Sequence, residues 1–123
     1  MELIEEFVVE EKHLAENVGS GDVPVLATPV LLTVCEKVAK ELAKRMIKEN
    51  ETTVGTYAEI KHLKATPKGF KVRAKAEVAE SDGRKIRFNI SAFDEVEKVF
   101  EGIHERAIVE KIKFLEKIKN KKI

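Results

Sequence analysis

Three polar side chains in the chain have types and surroundings suited to acyl transfer: Thr28, Glu36 and His62. A carboxylate can attack an acyl carbon or activate water, an imidazole can move protons near neutral pH, and a hydroxyl can position either. Each also has a plain structural reading. Thr28 precedes Pro29 and suits the N-cap of a helix. Glu36 stands at the border of an apolar helical arc, where a glutamate can simply reach water, or can be partly desolvated beside a pocket. His62 points with an apolar strand face, as a satisfied core histidine would. Gly55, in the same run as His62, permits close approach of a ligand to the backbone, so N–H groups at Gly55 and Thr56 are candidate oxyanion donors. The remaining histidines, His13 and His104, are scattered without metal-ligand spacing, and no glycine-rich phosphate loop is present.

The element that must position these groups is the stretch 28–48, TPVLLTVCEKVAKELAKRMIK. At about 100° per residue, Leu31, Val34, Cys35, Val38, Ala39, Leu42, Ala43 and Met46 share one arc, with Lys37, Lys40, Glu41 and Lys44 opposite. This predicts one long amphipathic helix. Before it, residues 1–10 read as a first strand, and 11–27, with Gly19, Gly21 and Pro24, as a loop or short lid over the helix start.

After the helix the period drops to two. Residues 53–63 put Val54, Thr56, Ala58, Ile60 and His62 on one face. In 70–78, Phe70, Val72, Ala74, Ala76 and Val78 alternate with charges. Ser81-Asp82-Gly83 turns the chain, and 84–93 return with Ile86, Phe88, Ile90 and Ala92 inward. A final strand over 97–112 is interrupted near Gly102, where a bulge is expected, and the basic tail is expected to fray. Helix and strands are segregated along the chain, which is the α+β signature: an antiparallel sheet wrapped around one long central helix.

The 123 residues suit one domain, 1–123. Lys plus Arg number 23 against 22 Asp plus Glu, so no global field recruits nucleic acid or an anionic membrane. Charged residues make up 37%, a surface compatible with heat adaptation through ion-pair networks. The single cysteine, Cys35, lies on the apolar arc and reads as packing. The acidic N-terminus has no long apolar run, so neither a signal peptide nor a membrane span is expected, and the cytoplasm is the default location.

The ordered set Ala27-Thr28, the step of eight to Glu36, the run from Gly55 to His62, Ala65-Thr66-Pro67-Lys68-Gly69 and His104-Glu105-Arg106-Ala107 resembles the fluoroacetyl-CoA thioesterase family of single hotdog-fold proteins, over about residues 5–117. The resemblance implies a hotdog fold, a homodimer with active sites near the subunit interface, and hydrolysis of an acyl-CoA thioester; no cofactor or metal is expected. It places the family's catalytic set on Thr28, Glu36 and His62 and its oxyanion-binding glycine on Gly55. Arg106, Lys64 and Lys68 stand as candidates for the CoA phosphates, with a plain surface charge as the favoured alternative for each lysine. The chain departs from the fluoroacyl-selective pattern in lacking Phe, Tyr and Trp over 14–27 and in having Pro29 in place of a glycine. Fluoroacyl selectivity is therefore not carried over, and the identity of the acyl group, short or otherwise small, stays open. The rival from another class is a hotdog module that binds acyl-CoA or a small ligand without turning it over.

Overall fold

A computed structural model describes all of residues 1–123. Five strands form one antiparallel sheet: β1 (Glu2–Val8), β2 (Glu51–His62), β3 (Lys71–Ser81), β4 (Lys85–Phe93) and β5 (Lys98–Glu110), in the spatial order β1-β3-β4-β5-β2. Two short helical turns, Glu11–His13 and α1 (Ala15–Val18), precede the long helix α2 (Thr28–Ala43), and α3 (Lys111–Lys119) closes the chain. The expected α+β architecture is present, with α2 lying across the sheet mainly against β3 and β4.

The core follows from the two periods. Leu31, Cys35, Val38, Ala39 and Leu42 of α2 are fully buried against Val72, Ala74 and Ala76 of β3 and Ile86, Phe88 and Ala92 of β4. Ala74 and Ala76 have side chains small enough for the helix to lie close to the sheet, which fixes the height of α2 above β2 and β5. Cys35 is packing, as expected: its thiol points at the Ser91 carbonyl at 3.7 Å, and burial pushes its pKa up to about 12. Asp82 accepts from the backbone N–H groups of Arg84 and Lys85, and Gly83 takes a φ of 85°, which closes the β3–β4 hairpin.

Four local expectations are corrected. The helix predicted to Lys48 ends at Ala43 and tightens into a 3₁₀ turn over Lys44–Met46. Most of the tail expected to fray instead forms α3 over Lys111–Lys119, an exposed helix of which only Phe114 is partly buried.

The bulge lies in β2 rather than at Gly102. Gly55 pairs with Arg106 and Tyr57 with Glu105, leaving Thr56 as the extra residue, while the pairing runs unbroken through Gly102. Gly102 is instead a close-approach glycine: a Cβ there would collide with the Glu59 carbonyl and with Ile60. The bulge also corrects the face assignment. Ala58, Ile60 and His62 lie opposite the inward His104, Gly102 and Phe100, but beyond Thr56 it is Thr53 and Gly55, not Val54 and Thr56, that share that face.

Candidate active site

Thr28 is the first residue of α2, and Ala27, extended at φ −73° and ψ 140°, is the N-cap. The Ala27 carbonyl accepts from Val30 and Leu31, and Pro29 follows within the first turn, where its missing N–H costs nothing. The predicted capping role of Thr28 is therefore not seen. Its hydroxyl is free of the backbone and lies 2.7 Å from Nδ1 of His62, at the end of β2.

The His62 ring is half-buried beside Phe100, and burial lowers its pKa from 6.5, partly opposed by the nearby Lys64 backbone. Its Nε2 is buried and has no partner within the chain. Leaving such an atom unmet costs about 1–3 kcal/mol, so water, a ligand or a second chain is its natural partner.

A cavity of about 340 Å³ opens beside this pair, lined by Ala15, Ser20, Val25, Leu26, Ala27, Thr28, His62, Leu63, Lys64 and Ala65. Its outer wall is the lid expected over 11–27. The lid is closed on itself by the Leu14–Leu26 bridge and tied down by Val25–Pro67 and by the Leu26 N–H donating to the Thr66 carbonyl. Thr66 is buried and donates to Asp94, whose other oxygen accepts from Val96 and Glu97, so the floor of the lid is anchored to the β4–β5 turn. A hollow of about 450 Å³ on the outer sheet face, by contrast, is lined by charges of both signs and contains none of the three candidates.

Glu36 stands two turns further along α2, about 12 Å from Thr28. Its side chain is 39% exposed, and its Oε2 lies 4.0 Å from Nε2 of the buried His104. A Cβ at Gly55 would meet Glu36 Oε2 at 3.2 Å, His104 Cε1 at 3.2 Å and Arg106 Nη1 at 3.5 Å, so these three groups converge over the bare α-carbon of Gly55. Within one chain the candidates thus form two clusters, Thr28 with His62 and Glu36 with Gly55, and no hydrogen bond or ion pair joins Glu36 to His62.

Arg106 is not the surface cation that phosphate binding requires. It is 7% exposed, its Nε donates to the Thr53 hydroxyl at 2.8 Å, and its Nη2 donates to the Thr53 carbonyl at 3.1 Å. Lys68 is engaged with Glu11 at 2.7 Å, whereas Lys64 lines the cavity mouth. Thr56, the bulge residue, directs its hydroxyl to the Glu105 carbonyl at 3.2 Å. Thr53, and any site role for His104, are not evident from sequence; for His104 the signal is the period of two through Arg106, which puts both on the same inward face.

A five-stranded antiparallel sheet wrapped on one long helix, with polar groups where helix and edge strand meet, is the hotdog fold of the thioesterases. In the solved structures this likeness is close. A variant of the fluoroacetyl-CoA-specific thioesterase in complex with fluoroacetate and CoA superposes with a TM-score of 0.90 at 26% identity, covering 98% of this chain and 99% of that one. A Thermus thermophilus thioesterase superfamily member gives 0.89 at 25% identity, covering 97% and 88%. The fluoroacetyl-CoA thioesterase of Streptantibioticus cattleyicolor is 31% identical over 97 residues, 79% of this chain and 70% of that protein. Residues 9–112 match the family described as fluoroacetyl-CoA-specific thioesterase, and the chain belongs to it. It is a hydrolase of the acyl-CoA thioesterase class.

Proposed function

We propose that the protein is a cytoplasmic, homodimeric hydrolase of the CoA thioester of a small acyl group, with Thr28, Glu36 and His62 as its catalytic set. The observation that carries this reading is the Thr28 hydroxyl 2.7 Å from His62, whose other ring nitrogen is buried and unmet, at the lip of a cavity of about 340 Å³. That volume is at the small end for ligand sites, and its alanine-rich wall suits a short acyl chain.

Two routes use the same groups. Glu36 either takes a proton from water, whose oxygen then attacks the carbonyl carbon, or attacks that carbon itself to give a mixed anhydride that water cleaves. In both, backbone N–H groups at Gly55 and Thr56 stabilise the tetrahedral oxyanion, with the Arg106 Nη1 edge beside Gly55, and the C–S bond breaks as the CoA sulfur takes a proton from the His62 imidazolium, which the proton released by the consumed water restores. Tracing oxygen from isotope-labelled water into Glu36 under single turnover separates the routes. No helix is long and apolar enough to cross a membrane.

The decisive experiment is a panel of acyl-CoAs assayed by free-thiol release. Wild type hydrolyses at least one short-chain member and Glu36→Ala loses about 100-fold or more in kcat; equal inactivity of the two on the whole panel removes the enzymatic reading. The separation of Glu36 from His62 within one chain favours a second reading, a binding module that holds acyl-CoA unchanged. Intact thioester recovered after long incubation with saturating protein would establish that one.

A further inference from the structure

His104 has both ring nitrogens engaged, and the chemistry of its partners fixes where its proton is. Nδ1 lies 2.9 Å from the Tyr57 carbonyl, which only accepts, so Nδ1 bears the hydrogen. Nε2 lies 3.1 Å from Nη1 of Arg106, which only donates, so Nε2 is bare. The two contacts independently demand the same neutral tautomer. A second proton would set N–H against N–H and one cation against another. The ring is 1% exposed and stacked on Phe88, with centroids 6.3 Å apart and 25° between planes, so it cannot turn away to relieve that conflict.

Arg106 is then held on three sides, by Thr53 through Nε and Nη2 and by His104 through Nη1. The Nη1 edge is the one that converges with Glu36 over Gly55. The groups facing His104 are Glu36 from α2, Arg106 from its own strand, the Tyr57 carbonyl from β2 and Phe88 from β4. Burial and the Arg106 charge both oppose protonation, while the Tyr57 contact and Glu36 favour it.

The geometry points to His104 as a positioning residue: a neutral, single-tautomer strut that aims the Arg106 guanidinium toward Glu36 and transfers no proton in the reaction. This rests on the catalytic reading of Glu36, but the tautomer does not.

Two measurements test it. In wild-type protein with nitrogen-15 histidine, the His104 ring, assigned by its loss in a variant, stays in the Nδ1–H form between about pH 8 and pH 6, where an ordinary imidazole titrates. An Nε2–H tautomer, or titration in that range, overturns the proposal. The second compares His104→Gln, whose side-chain oxygen can accept from Arg106, with His104→Asn, which can donate to Tyr57 but does not reach Arg106. Gln keeps kcat within about threefold of wild type and keeps the Arg106 Nε–H resonance; Asn loses about 10- to 100-fold in kcat with KM little changed, and broadens that resonance. Equal loss in both variants, or none in Asn, sinks the strut. If wild type hydrolyses no acyl-CoA, the catalytic reading of Glu36 falls, while the tautomer and the Arg106 resonance still decide what His104 does.

Discussion

At the scale of single residues, the site depends on hydroxyl, imidazole and carboxylate groups that the local backbone leaves available. Because Ala27 takes the cap position, Thr28 turns its hydroxyl to His62 instead of to its own helix. Burial lowers the pKa of His62 and of His104 below the usual 6.5. A group that binds its proton more weakly when folded contributes stability that is complete above pH 6.5 and is lost as pH falls through the lowered folded value. Melting temperature should therefore fall on acidification below pH 6.5, and His62→Gln should flatten that slope; an unchanged slope in the variant would assign the loss elsewhere. Because His62 protonates the leaving sulfur as imidazolium, the same shift places the alkaline limb of kcat/KM below pH 6.5, where the ring gives up that proton. Gly55→Ala is a second test at this scale. The new methyl meets the mobile end of Glu36 at 3.2 Å and the fixed His104 ring at 3.2 Å, so the carboxylate gives way. Folding should survive with a melting shift of a few degrees, about 1 kcal/mol, while kcat falls at least about tenfold because a misplaced reacting group is costly.

At the scale of elements, β2 decides what faces the helix. The single extra residue at Thr56 changes which side chains point inward, placing Gly55 under Glu36 where unbroken alternation would have placed Thr56. Hydrophobic period revealed the elements themselves: α2, the β3–β4 hairpin and the inward Ile86, Phe88, Ile90 and Ala92 were all legible, because burial of a full face demands strict spacing. The bulge was not, since Val54, Thr56 and Ala58 satisfy the period as well as the true set does, and only pairing with β5 breaks the tie. Thr28 and His62 were legible as candidates, but not their direct contact, which depends on how α2 lies over β2. Arg106 was legible as a charge but not as a buried one, because its partner Thr53 lies 53 residues away in the chain. Gly102 offers an element-scale prediction. A methyl group there collides with the backbone of Glu59 and Ile60, which pair directly with β5 and cannot swing aside as a side chain does. Gly102→Ala should destabilise the fold by about 1–3 kcal/mol, read as a lowered midpoint in urea with unchanged slope; wild-type stability would show that β2 shifts at little cost.

At the scale of the whole molecule, the sheet ends on one side in β1, seven residues studded with Glu2, Glu5 and Glu6, and on the other in β2, twelve residues exposed from Gly55 to Glu59. A long free edge of this kind invites a partner strand, and a two-fold axis would pair β2 with its own copy in antiparallel fashion. That pairing sets the half of β2 bearing Gly55, with Glu36 above it, beside the half bearing His62 in the other copy. The two clusters separated within one chain would then face each other across the interface, and the unmet His62 Nε2 would gain its surroundings. Mixing Glu36→Ala with His62→Ala chains and allowing subunits to exchange tests this directly. If each site draws Glu36 from one copy and His62 from the other, every mixed dimer contains one complete site and one doubly damaged site. Random exchange should then restore about a quarter of wild-type activity, because half the dimers are mixed and each has one working site of two. If both residues of a site come from the same chain, every site in the mixture lacks one of them and nothing is restored. Native mass spectrometry showing mixed dimers, together with activity no higher than either parent variant, would exclude the shared site.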